Sequence, residues 1–283
     1  MIPQGKGILI WKGVNYGSLA ECVQACQAMG LRWVGLKIGD AADDRYRSFP
    51  DMTQAVAAFR AAGIKIVLWH YLYGGAYGWP SPAEEARYAK GKVLAYQADA
   101  YAIDAEQEYK RPGAATYAGQ FMTALQGIGV DVGLLSYRFP SYHPEFPWST
   151  FLSGCTFHMP QVYYGPGRAI IDINRSTTEL TAKRALPIVP VGRAYIGDGY
   201  GLPGPSGAEI TSLLQRSVEL GQPGAGAWAL DFLRLHTGGA ARQAAIAAFQ
   251  WPGDEPPPAT LEERFDYLEN WMIEYGGYPG YPE

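Results

Sequence analysis

Three carboxylates crowd one short stretch of this 283-residue chain. Asp104, Glu106 and Glu108 alternate with Ala105 and Gln107 in "YAIDAEQEYK", directly after an apolar run. Alternate residues of a strand share a face, so on a strand these acids would leave the end of something buried in one direction. Asp104 and Glu106 would then have Cα atoms roughly 6.5 Å apart. Such crowding raises one carboxyl pKa, which suits a proton donor near neutral pH. Glycoside hydrolysis needs that donor for the leaving oxygen, and an anionic group to support an oxocarbenium-like transition state. Glu106, longer and nearer the mouth, is the candidate acid. Asp104, deeper, is the candidate partner carboxylate, and Glu108 is expected past the strand end, facing solvent. The competing reading is that strand-end acids cap loops or pair with Lys12, Lys37 or Arg193.

Other chemistries find less support. The four histidines are scattered, with no H-E-x-x-H pattern, and no G-x-S-x-G elbow accompanies them. Cys155 and His158 do not cluster as metal ligands do, so neither a metal nor a cofactor is expected. Cys22 and Cys26 would lie one helical turn apart and read, with Cys155, as reduced buried thiols. The net charge of −4 comes with no basic stripe, so nucleic acid is not an expected partner. No apolar run approaches the ~20 residues that span a bilayer. Nor does a charged segment followed by an apolar one open the chain. The expectation is a protein made in the cytoplasm that acts outside after lysis or dedicated export, or as a virion component. Tyrosine (20) and tryptophan (8) are abundant, as in a cleft whose flat rings stack on sugars.

What must position these residues is a repeating unit of apolar strand, loop and amphipathic helix. Eight strand candidates begin at Gly7, Arg32, Ile64, Ala100, Asp131, Thr156, Leu186 and Ala225, the last reading "AGAWALDFLRL". Helical patterns lie between them. Ser18 to Glu21 forms a capping box, Ser81 precedes Pro82 at a first helical position, and Gly30 and Gly63 end helices. Near-continuous apolar strands alternating with helices predict an α/β fold with a parallel sheet covered on both faces. Eight units in about 250 residues fit a (β/α)8 TIM barrel with a C-terminal helical tail. An open doubly wound sheet is the rival, but "GVNYGS" is no G-x-G-x-x-G turn. The expected boundaries are a barrel over 1–250, a Pro-rich linker over 251–260, and a short helix with a Tyr/Gly/Pro tail over 261–283. Leu261, Phe265, Leu268, Met272 and Tyr275 make an a/d seam of about two heptads. That seam serves either a helix docked on its own barrel or self-association through residues 261–275.

Chemistry in such a barrel gathers at the C-terminal strand ends. In chain order these ends offer Trp11 and Lys12; Lys37 and Asp40; Trp69, His70, Tyr71 and Tyr73; the three acids; Tyr137 and Arg138; Gln161, Tyr163 and Tyr164; Arg193 and Tyr195; and Trp228 and Asp231. The catalytic candidates are Glu106, Asp104 and Asp231. The substrate-binding candidates are Tyr71, His70, Tyr137, Gln161, Tyr163, Arg193, Trp228 and Lys37. As an isolated imidazole, His70 also fits a hydrogen-bonded structural role.

Several strands together resemble the N-acetylmuramidase lysozymes of glycoside hydrolase family twenty-five: "GILI", "WVGLKIGDA", "WHYLY", "IDAE", "VGLLSY", "PQVYY" and "WALD". The resemblance implies an enzyme of endolysin type that cleaves bacterial cell-wall glycan. It implies Glu106 as proton donor, Asp104 as its partner, Asp231 as a supporting acid, and Tyr71 and Tyr163 as cleft residues. The D-x-E of strand four is shared with chitinase-like barrels, whose longer acidic signature is interrupted here by Ala100 and Ala102. One departure stands out: the family's first-strand Asp falls at Leu9. The alternative expectation is therefore a catalytically impaired barrel that binds glycan or serves a phage or surface assembly.

Overall fold

The computed structural model describes residues 1–197 and 203–253. Eight parallel strands close into a barrel in sequence order: β1 Gly5–Ile10, β2 Trp33–Asp40, β3 Lys65–Leu72, β4 Ala100–Ala105, β5 Asp131–Tyr137, β6 Phe157–Val162, β7 Val191–Arg193 and β8 Gly224–Trp228. The helices are α1 Leu19–Ala28, α2 Met52–Ala61, α3 Pro82–Tyr96, α4 Ala114–Leu125, α5 Trp148–Leu152, α6 Ala169–Lys183, α7 Gly207–Glu219, α8 Leu230–Leu235 and α9 Gly239–Ala248. This is the expected (β/α)8 architecture. Met1–Phe249 form one compact unit, and the chain from Gln250 is assigned to a second. Beyond 253, the expected linker and the 261–275 seam lie outside the described residues. No helix among the described residues is long and apolar enough to cross a membrane.

Local signals set the helix starts. Ser18 and Ser81 each accept from the backbone N–H three residues on, and Glu21 and Glu84 reach back to close the boxes. Ser206 and Glu209 repeat the device on α7.

Three segments differ from expectation. β7 is only three residues long because Pro187 and Pro190 flank Ile188 and Val189 and cannot donate to a ladder; Ile188 makes only an isolated bridge to His158. α6 starts seven residues before the expected "STTELTAKRA". The stretch expected as strand eight is split: β8 stops at Trp228, and Leu230–Leu235 is helical. Asp231 therefore sits in the first turn of a helix rather than on a strand end.

The barrel is filled in layers by inward side chains, large ones facing small ones. Trp33 occupies the lower layer with its indole N–H donating to Gly5 O at 3.3 Å. A Cβ on Gly7 would lie 2.0 Å from that ring, and one on Gly226 2.6 Å, so both positions require glycine. Gly133 likewise yields to Phe157, at 2.3 Å. Above them lie Leu9, Val67, Trp69, Ala102, Leu135 and Met159. Trp69 donates to Gly35 O at 3.1 Å and meets Trp228 edge-on at 5.3 Å. This closed apolar plug is the floor on which the polar layer stands.

Candidate active site

The polar layer follows from strand parity. Tyr71 pairs in register with Asp104, and Tyr137 with Gln161, so four neighbouring strands deliver these inward side chains at one height. Lys37 joins them from β2, its Nζ 5.2 Å from the Trp69 ring and 2.7 Å from Asp40 Oδ1.

The Gln161 amide bridges the two central acids, Nε2 donating to Asp104 Oδ1 at 3.2 Å and to Glu106 Oε1 at 2.7 Å. The shared donor holds the two carboxyls side by side. Burial pushes Asp104 well above the usual carboxylate range; the neighbouring Glu106 adds to this and Lys37 offsets part of it. Glu106 is raised too, again chiefly by burial, against the lowering bond from Gln161. Two adjacent, desolvated carboxyls cannot both ionise cheaply, so burial and proximity favour the state in which one of them holds a proton. The pairing of Glu106 with Lys12, Lys37 or Arg193 that the sequence left open is not found: its side-chain partners are Gln161 and Asp104.

Glu108 corrects an expectation. The strand ends at Ala105, and Glu106 takes φ −138° and ψ −124° before a 3-10 turn over Gln107–Lys110. Glu108 lies past the strand end, as expected, but turns back to accept from Tyr71 Oη at 2.6 Å. It is half-buried at the edge of the site, bonded to Tyr71. The turn also brings Lys110 Nζ to 4.1 Å from the Tyr137 ring, on which His143 stacks at 3.7 Å and which Phe146 meets edge-on at 5.8 Å. Neither Lys110 nor His143 carries a sequence signal, because only the turn geometry places them. Tyr163 lies close enough for Glu106 and Asp104 to add to the burial that raises its phenol. Its ring is 5.6 Å from that of Tyr195. Trp228 covers Trp69 at the floor.

Three candidates are not brought to the pair. His70 is fully buried on the helix side of β3, its Nδ1 2.9 Å from Tyr101 Oη and its ring near Tyr88 and Phe121. It is structural, as its parity opposite Trp69 and Tyr71 requires. Arg193 is buried, and the groups its charge acts on are Tyr164, Glu209 and Arg242, on the α7 and α9 side. Asp231 is buried at the start of α8 and accepts from Trp11 N at 3.2 Å, tying β8's end to β1's. Among the described residues, no group of three or more His, Cys, Asp or Glu is arranged to hold a metal ion.

A pH dependence of stability follows from these shifts. All four histidines are lowered by burial, His70 to about 3. The unfolded chain therefore takes up protons that the fold refuses, and stability is lost as pH falls below about 6.5. Asp104 and Glu106 are raised, and burial pushes Glu85 up to about 8. Here the fold keeps protons that the unfolded chain has released, so stability falls as pH rises towards 8. Above about 6.5 the histidine contribution fades, and the raised acids are joined towards pH 8 by the three buried thiols, which burial also raises. The thermal midpoint should thus decline between about pH 6.5 and 8, and less steeply in Asp104→Asn, which cannot ionise. Calorimetry across that window checks this; a flat or rising midpoint in the wild type contradicts it.

The sequence matches no protein-family model and no curated protein. Solved structures are similar in fold, among them a glycoside hydrolase domain, a chitinase and a spore cortex-lytic enzyme. The PgaB (BpsB) glycoside hydrolase domain from Bordetella bronchiseptica superposes with a TM-score of 0.61 at 12% identity, covering 88% of this chain and 100% of that one. A class V chitinase from Pseudomonas fluorescens Pf-5 gives 0.60 at 12% identity, over 86% and 98%. The spore cortex-lytic enzyme SleL from Bacillus megaterium gives 0.59 at 10% identity, over 88% and 74%. At these identities the likeness is one of fold.

Proposed function

We propose that the chain is a glycoside hydrolase acting on an amino-sugar polymer, with Glu106 as general acid and Asp104 as its partner carboxylate. The carrying observation is the adjacent carboxyl pair at the end of β4, both members accepting from the Gln161 amide, with Tyr71, Tyr137 and Tyr163 near enough for the acids' charge to raise their phenols. The fold likeness to a chitinase and to the PgaB hydrolase domain supports the substrate class.

The arrangement also favours one route. Two-carboxylate glycosidases hold their acids apart across the sugar, about 5–5.5 Å when retaining and about 6.5–9.5 Å when inverting. Asp104 and Glu106 instead lie side by side on one shared amide donor, so they act from one side. A nucleophile must then come from the substrate, as in enzymes that use a neighbouring acetamido group. Glu106 gives its proton to the leaving oxygen as the glycosidic bond breaks, while the acetamido oxygen bonds to C1. Asp104 orients that amide. Water then attacks C1 as its bond to the acetamido oxygen breaks, and the ionised Glu106 takes the water's proton, which restores the acid.

Within this class we favour peptidoglycan, the muramidase-type substrate implied by the strand motifs. Incubation with purified bacterial walls should lower turbidity and release fragments with new reducing ends, read by mass spectrometry. If walls stay intact while chitin hexamers are cut, peptidoglycan is the wrong polymer. A second reading rests on Leu9, buried in the barrel interior where the resembled lysozymes carry an acid. It is a barrel that binds glycan without turnover. Co-sedimentation with walls that yields no new reducing ends would favour it.

A further inference from the structure

Outside the acid pair, the most distinctive surface is a run of aromatic rings leaving the pocket on the β2 and β3 side. Tyr71, bonded to Glu108, meets Tyr73 edge-on at 5.2 Å. Tyr73 stacks on Trp79 at 4.5 Å with planes 19° apart, and Tyr46 approaches Trp79 edge-on at 6.3 Å. The rings thus form a continuous path from the acids to the rim. At its outer end Tyr46 is 41% exposed, and Tyr77, in the same turn as Trp79, is 81% exposed.

Two features mark this path as built rather than incidental. Tyr77 sits at φ 54°, ψ 26°, a left-handed conformation that costs a side-chain-bearing residue of order 1 kcal/mol or more. Its ring gains almost no packing in return. The turn beneath is also fixed from below. The buried Glu85 side chain accepts from Tyr73 N at 2.7 Å and Gly74 N at 3.0 Å. Arg111 donates to Gly74 O, and Tyr109 lies so close to Gly74 that a Cβ there would come within 2.8 Å of its ring. The rings are therefore held in place before anything binds, which lowers the ordering cost of association.

We propose that Tyr73, Trp79, Tyr46 and Tyr77 form a sugar-stacking subsite that receives the glycan residues leading away from the bond held at Glu106. The inference rests on the hydrolase reading above and adds where the polymer lies. A glycan suits this surface because the exposed rings of Tyr46 and Tyr77 pair apolar surface for a pyranose with polar tips for its hydroxyls, on a base formed by the stacked Tyr73 and Trp79. Because the path is continuous with the acid pocket, one linear chain can occupy both.

The test is binding of the N-acetylglucosamine hexamer and dimer to full-length protein carrying Glu106→Gln, so that no turnover is required. Calorimetric titration is compared with and without Trp79→Ala or Tyr77→Ala. Each added substitution should weaken hexamer binding about tenfold, the worth of a good aromatic contact, and weaken dimer binding less. Tyr77→Ala serves as the fold-neutral variant, because its side chain lies in solvent. Hexamer affinity unchanged in both variants, or losses equal for hexamer and dimer, would overturn the subsite. Hexamer binding that depends on Trp79 and Tyr77, in a wild-type protein that never releases reducing ends, would uphold the subsite while removing the hydrolase reading.

Discussion

Glu106→Gln is expected to lower hydrolysis of an unactivated amino-sugar glycan by about 10²–10⁴-fold, the usual worth of a positioned general acid. The substitution is nearly isosteric, and its amide oxygen can still accept from Gln161, which reaches Glu106 Oε1 at 2.7 Å. The fold should therefore persist, with a thermal midpoint close to that of the wild type. The diagnostic is the leaving group. An aryl glycoside with an acidic phenol needs little protonation, so its cleavage should fall much less than that of the natural linkage. Equal losses on both substrates would show that Glu106 does not protonate the leaving oxygen. Full activity in the variant would remove it from the reaction.

The second large effect concerns the floor. Trp33→Ala is expected to destabilise the fold by about 3–5 kcal/mol. The indole is fully buried, fills the space left by Gly7 and Gly226, and donates to Gly5 O. Both glycines adjoin β1's ladders and lack side chains that could refill the void. Denaturant unfolding reads the loss directly; a change under about 1 kcal/mol would contradict the layered interior described above.

The barrel is legible in the sequence because its rules are local and repeated. Apolar runs, capping serines and helix-ending glycines recur along the chain, and each constrains the next. The pairing of Asp104 with Glu106 is legible for the same reason: both sit at the end of a strand whose parity the sequence states. Expectation and structure part where the backbone stops following the pattern. "WALDFLRL" is apolar enough for a strand, yet the chain turns after Trp228, and Asp231 lies in the first turn of a helix, where it accepts from Trp11 N. The aromatic neighbours of His70 point to the cleft, although its parity opposes theirs. For Glu108, a position past the strand end implies solvent. The backbone turn at Glu106 and the Tyr71 hydroxyl instead bring it back to the site. The aromatic path beyond Tyr73 depends on which turn residues meet across two loops, and no single-sequence period encodes that.

The central claim is that a one-sided carboxyl pair cleaves a glycan with help from the substrate's own acetamido group. The most direct measurement is reducing-end release by the wild-type protein from a fully N-acetylated amino-sugar oligomer and from the same oligomer with its acetyl groups removed. Cleavage of the first and none of the second is expected, with Glu106→Gln inactive on both. Equal cleavage of the two would rule out participation by the substrate. Cleavage of no N-acetylated glycan, bacterial wall included, would contradict the assignment of this barrel as a hydrolase.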